Sequence, residues 1–156
     1  MRLAPESADL PDVLAFMQGL WAVSHRLERL SKQMRSRSGI TGPQRLVLRL
    51  IGLFPGISAG DLATLLHLHP STLTGILRRL EDQQLVARGS APDDRRRIVL
   101  RLTPLGVSTS HDPAGTLESA VATTFERSTP DQRIATRKFL EELAAVLDSE
   151  LEAPRT

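Results

Sequence analysis

Between Ser58 and Leu102 the spacing of apolar residues changes once from helical to alternating, and that switch restricts the fold more than any other feature of the chain. Ser58, with Asp61 three residues on, marks the start of a short helix whose inner side is Leu62, Ala63, Leu65 and Leu66. Leu66-His-Leu-His-Pro70 reads as a turn, and Pro70 suits the first position of a further helix because no N–H is needed there. In that helix Leu73, Ile76, Leu77 and Leu80 form one apolar stripe, with Ser71, Thr72, Thr74, Gly75, Arg78, Arg79 and Asp82 off it. After Gln83 and Gln84 the pattern becomes extended. Leu85 to Ser90 reads as one strand, and Ile98, Leu100 and Leu102 alternate with Arg97, Val99 and Arg101 in a second, a half-buried pattern. Ala91-Pro-Asp-Asp-Arg-Arg96 is the polar tip between them, which makes the pair a hairpin.

A short helix, a tight turn, a second helix with small polar residues at its start and then a hairpin is the order of a winged helix-turn-helix. Reading a major groove needs short hydroxyl side chains near base edges and arginines that bond guanine or phosphate. Ser71, Thr72 and Thr74 meet the first need, Arg78 and Arg79 the second. Gly75 lies on the same side, where it permits close backbone approach and offers no side chain to read with. Taken alone, the same residues also fit an ordinary solvated helix face. The hairpin tip weighs against that: Asp94, Arg95, Arg96 and Arg97 place three cations and an acid where an arginine can enter a narrow, electronegative minor groove. A carboxylate beside a guanidinium can orient it through paired hydrogen bonds.

The flanks read as helices that pack along other helices. From about Pro11 to Met34, Val13, Phe16, Leu20, Val23, Leu27, Leu30 and Met34 repeat in a three-four pattern, with Leu14, Met17 and Trp21 as a second apolar flank. Such a helix serves a partner subunit on one side and its own subunit on the other, or is a plain core helix. Arg35-Ser-Arg-Ser-Gly-Ile40 is predicted to break it. Thr41, ahead of Pro43, and Gln44 form a capping box for a helix that carries Leu46, Val47, Leu50, Ile51 and Phe54 and ends at Pro55-Gly56. Thr103-Pro104 returns the chain to helix, interrupted between Ser108 and Gly115 by Pro113 and Gly115. Helix resumes from Leu117 to about Phe125, and Thr129-Pro-Asp-Gln132 caps a last one bearing Ile134, Phe139, Leu140, Leu143, Val146, Leu147 and Leu151. The expected architecture is mainly α with a small β-hairpin wing. Residues 1–40 form an N-terminal dimerisation helix, 41–104 the winged helix-turn-helix and 105–156 the C-terminal dimerisation helices. A homodimer implies a pseudo-palindromic duplex site with half-sites roughly 34 Å apart.

Net charge is only +2 over 156 residues, but its distribution is uneven. Residues 1–66 hold eight basic and five acidic groups, 67–101 seven and four, and 102–156 five and nine, giving +3, +3 and −4. That suits a basic reading head on an acidic scaffold. The absence of cysteine excludes disulfides, thiolate metal sites and thiol redox switches. Residues 1–11 lack the apolar core of a signal peptide and charges interrupt every long apolar stretch, so a cytoplasmic protein without a membrane span is expected. No nucleophile triad, glycine-rich phosphate loop or ligand set is present, so neither an enzyme nor a cofactor or metal is expected. His67 and His69 sit two apart on the turn, a spacing that suits capping or the DNA backbone better than a shared ion. Trp21 and His25, four apart on the first helix, either line an effector pocket or pack in the interior.

The residues His69-Pro-Ser-Thr-Leu-Thr-Gly-Ile-Leu-Arg-Arg-Leu-Glu81, Leu85-Val, Asp94-Arg-Arg96 and Leu102-Thr-Pro-Leu-Gly106 resemble the MarR family of bacterial transcriptional regulators. The element order extends the resemblance over nearly the whole chain. It implies a homodimer with intertwined terminal helices, and a wing whose Asp94 orients Arg96 in the minor groove while Arg95 and Arg97 serve phosphates. It also implies a sequence-specific regulator, most often a repressor that a small aromatic or phenolic effector relieves. Gly75 departs from the family pattern, in which a larger side chain is common, and the stretch from Ser108 to Gly115 departs from the usual linking helix. The other reading is a winged-helix module for general DNA binding or protein interaction without effector control.

Overall fold

The computed structural model describes residues 10–111 and 115–152. Residues 1–9, read above as no leader, and Asp112, Pro113 and Ala114 of the interrupted stretch lie outside the described residues. Two compact units divide the chain, one ending at Leu117 and the other beginning at Glu118.

The first unit opens with α1, Asp12–Ser38, which runs straight through the break predicted at Arg35. Serine and arginine do not stop a helix by themselves, and Arg35 and Arg37 in its last turn sit favourably against the negative end of its dipole. The stop is Gly39, left-handed at φ 76°, whose N–H bonds the Arg35 carbonyl. Met34 and Ile40 anchor this end of α1 by burial, and Ser31 Oγ accepts from the Gly42 N–H at 3.0 Å. The predicted capping box is present: Thr41 and Gln44 exchange side chain and backbone bonds at the start of α2, Gly42–Leu53.

The face that α2 turns inward takes in only part of the apolar set read from the sequence. Leu48 is fully buried with Val47 and Ile51, whereas Leu46 is 51% exposed and Phe54 is exposed too. Four elements pack around α2, namely α1, α4 (Pro70–Asp82), β2 (Ile98–Leu102) and α5 (Pro104–His111), and they cover an arc that includes positions 44, 45, 47, 48 and 51. Arg45 is buried as well, and its guanidinium donates to the Thr109 and Ser110 carbonyls at 3.3 and 3.2 Å. Helices α3, Ala59–Leu66, and α4, Pro70–Asp82, follow as predicted. Leu73, Leu77 and Leu80 join Leu48, Ile51, Leu62, Leu85, Val86 and Leu100 in one core, with Ile76 packed at its edge. Leu65, predicted inward, is exposed.

Strands β1, Val86–Ser90, and β2, Ile98–Leu102, pair antiparallel from Val86 opposite Leu102 to Ser90 opposite Ile98. Gly56 N–H donates to the Leu100 carbonyl and Leu100 N–H to that of Ile57, which ties the hairpin base to the segment ahead of α3. The alternation predicted for β2 holds only at that base. Leu100 is buried, but Ile98 is 49% exposed at the tip end, beyond the elements that cover Leu100, and Val99 is buried on the opposite face. Helix α5, Pro104–His111, follows, and Gly115 is left-handed at φ 68°.

The second unit is a helix pair, α6, Leu117–Glu126, and α7, Pro130–Glu152. Thr129 and Gln132 form the predicted capping box, with bonds of 2.9 and 3.2 Å. Arg133 pins the corner: it donates to the Ser128 and Phe125 carbonyls and lies 5.3 Å over the Phe125 ring. No residue described in α6 or α7 is buried. No described helix is long and apolar enough to cross a membrane.

Candidate DNA interface

His67 closes α3 in a left-handed conformation at φ 51°, and its N–H bonds the Ala63 and Thr64 carbonyls. His69 then caps α4: its Nδ1 accepts from the Ser71 N–H at 3.3 Å and lies 2.7 Å from Ser71 Oγ. Accepting at Nδ1 places the ring proton of a neutral imidazole on Nε2. Both histidines therefore shape the turn, and among the described residues no cluster of three His, Cys, Asp or Glu is arranged for a metal ion.

The buried stripe of α4 fixes which residues it presents outward. Ser71, Thr72, Thr74, Gly75, Arg78 and Arg79 are all exposed while Leu73, Leu77 and Leu80 are sealed in the core, so the candidate readers share the outer side. Two of the three hydroxyls, those of Ser71 and Thr74, are already engaged as donors. Thr74 Oγ1 donates to the Pro70 carbonyl at 2.8 Å, and Ser71 Oγ faces the accepting nitrogen of His69. What they keep free is acceptor capacity, which suits the exocyclic amino groups of adenine and cytosine in a major groove. Gly75 has nothing within 4 Å of the place a Cβ would take, so its lack of a side chain answers to no contact inside the protein.

The wing tip differs from expectation in detail. Asp94 Oδ1 accepts from the backbone N–H of Arg96 at 2.9 Å, an Asx-type turn, so the acid sets the backbone at the tip rather than gripping the guanidinium. The carboxylate that reaches a guanidinium is Asp93, 3.4 Å from Arg97. Arg95 and Arg96 are exposed on the same tip. A third pair was not legible from the sequence: Arg88 of β1 bonds Glu81 of α4, seven residues away, and ties the hairpin to α4. An acid and a base on different elements give no periodic signal.

On α1, Trp21 is 73% exposed and His25 is exposed. Interior packing within this chain is therefore not their role.

Residues 40–98 match the model of the MarR family. The HTH-type transcriptional repressor Rv2887 of Mycobacterium tuberculosis is 29% identical over 107 residues, which are 69% of this chain and 77% of the repressor. A crystal structure of MarR shares the fold with a TM-score of 0.59 and 27% identity, covering 94% of this chain and 97% of that one. Staphylococcus aureus MepR, solved in complex with DNA, superposes with a TM-score of 0.68 at 20% identity, over 85% of this chain and 97% of MepR. The chain carries a domain of the MarR family of transcriptional regulators over residues 40–98, a segment that holds α2, α3, α4, β1 and the wing tip as far as the start of β2.

Proposed function

We propose that this chain works as a homodimer that reads a pseudo-palindromic duplex site, represses from it, and is released by a small aromatic or phenolic ligand. The observation that carries the reading is one of placement. The polar and cationic readers are all exposed on α4 and the wing, while the flanking helices leave their apolar residues exposed instead of buried. On α1, Val13, Phe16, Met17, Leu20, Val23 and Leu27 are exposed, and so on α7 are Ile134, Phe139, Leu140, Val146, Leu147 and Leu151. Apolar surface of that extent favours association, and a second copy offers the same surfaces in two-fold symmetry. Residues 1–40 and 105–156 then serve the dimer and 41–104 the DNA.

In this reading α4 lies in the major groove. Ser71, Thr72 and Thr74 face base edges, while Arg78 and Arg79 hold guanine or phosphate. Arg96 enters the minor groove, its backbone set by Asp94, and Arg95 and Arg97 hold phosphates. Trp21 and His25 remain candidates for the effector site, being exposed in the single chain. A ligand that binds better to a dimer with misplaced reading heads shifts the population off DNA. In this reading the protein works in a bacterial-type cytoplasm, beside the DNA it regulates.

A second reading, general DNA binding without effector control, draws support from Gly75 and the engaged hydroxyls, which leave the middle of α4 little to read with. Selection of bound sequences from random DNA, followed by titration across salt, separates the two. A recovered two-fold site supports the first, and steep salt dependence with no recovered site supports the second. The wing is tested by Arg96→Ala, which weakens operator binding tenfold or more with the dimer intact; equal affinity removes the wing from the mechanism.

A further inference from the structure

Three parts of the first unit meet at the turn that ends α4. Gln83 donates its side-chain Nε2–H to the carbonyl of Gly39, the left-handed residue that closes α1, at 2.9 Å. Gln84, itself left-handed at φ 58°, offers its carbonyl to Thr103 Oγ1 at 2.6 Å. Leu85 accepts from the Thr103 N–H at 3.1 Å and donates to the Leu80 carbonyl at 2.9 Å. A Cβ on Gly106 would fall 2.0 Å from the Leu85 carbonyl oxygen, so α5 is seated backbone to backbone on this turn.

The two ties differ in kind. The tie to α5 runs through the main chain at Leu85 and Gly106 and through the Thr103 hydroxyl. The tie from the end of α4 to Gly39 is made by a side-chain amide at the surface, joining residues 44 apart in sequence. We propose that Gln83 is a positioning residue that holds the angle between α1 and the reading helix, and so sets the spacing of the two reading heads. The proposal rests on the reading above, in which α1 joins the dimer and α4 enters DNA.

The lever arm makes one hydrogen bond matter. α1 has 27 residues, which at 1.5 Å per residue is about 40 Å. A tilt of about 5° at Gly39 moves its far end by about 3.5 Å, which is close to one base-pair step. Met34, Ile40 and the Ser31–Gly42 bond keep the end of α1 attached; the Gln83 amide adds a point of contact on the reading helix itself.

The test uses the full chain with Gln83→Glu, which keeps the shape and turns an acceptor toward the Gly39 carbonyl, and Gln83→Lys, which restores a donor. Affinity is measured at one salt concentration for the DNA site recovered by the wild type and for versions with the half-sites one base pair closer or farther apart. The expected result is that Q83E loses discrimination among spacings by about two- to tenfold, the worth of one hydrogen bond, with the dimer intact and the thermal midpoint lowered by no more than about 4 °C, and that Q83K recovers the discrimination. If Q83E lowers the midpoint further, Q83A removes the donor without adding charge and is judged by the same criteria. A wild-type spacing profile in the donor-less variant overturns the proposal while leaving the dimer reading in place. Failure of the wild type to recover any two-fold site overturns both, and that outcome is visible before any variant is made.

Discussion

Replacing Gly75 with alanine is expected to make the protein more stable and a poorer DNA binder at once. Gly75 sits in the sixth position of the 13-residue helix α4, on its exposed side, and an added Cβ would meet nothing within 4 Å. Alanine in a helix interior is favoured over glycine by about 0.8–1.0 kcal/mol, because glycine gives up more backbone entropy on folding. With no clash to offset it, most of that gain survives, which for a chain of this size raises the thermal midpoint by about 2–4 °C. The midpoint must be compared at one protein concentration, since a dimer melts in a concentration-dependent way. On DNA the sign reverses. Gly75 lies one turn beyond Ser71 and just before Arg78 and Arg79, at the centre of the face proposed to enter the groove. A methyl group there holds the backbone off the base edges and weakens the short contacts of Ser71 and Thr74, so operator affinity falls about tenfold, near 1.4 kcal/mol. The salt slope should stay fixed because no phosphate contact is lost. Calorimetric or optical melting and an anisotropy titration at two salt concentrations read both effects. An unchanged or lower midpoint refutes the helix argument. Equal or tighter operator binding refutes the close approach of this backbone to DNA.

Gly106→Ala is the opposite case: its Cβ would lie 2.0 Å from the Leu85 carbonyl oxygen, so α5 must move, and a loss of stability above about 3 kcal/mol is expected by chemical denaturation. Asp94→Ala releases the Arg96 N–H at the wing tip; because the site is exposed, stability should change by less than about 0.5 kcal/mol, while operator affinity drops several-fold, and unchanged affinity would show that the tip needs no preset backbone. Leu143→Glu with Leu147→Glu on α7 should yield monomers or unfolded chain by sedimentation, and a stable, DNA-binding monomer would refute the dimer.

Local chemistry made several features legible before any coordinates. Thr41 with Gln44, Ser58 with Asp61 and Thr129 with Gln132 were readable as helix starts because each helix end satisfies its own free N–H groups within three or four residues. The stripe Leu73, Leu77 and Leu80 was readable because one helix has one period. Tertiary structure decided what neighbours decide. It selected Leu48 over Leu46 on α2, because four elements surround that helix, and it left Ile98 exposed, because nothing packs over the tip end of β2. It also turned Asp94 to the Arg96 backbone and joined Gln83 to Gly39 and Arg88 to Glu81. The switch from helical to alternating period between Ser58 and Leu102 was thus enough to name the elements of the reading head. Their mutual angles rest on bonds between residues far apart in sequence, and no local propensity encodes such a bond.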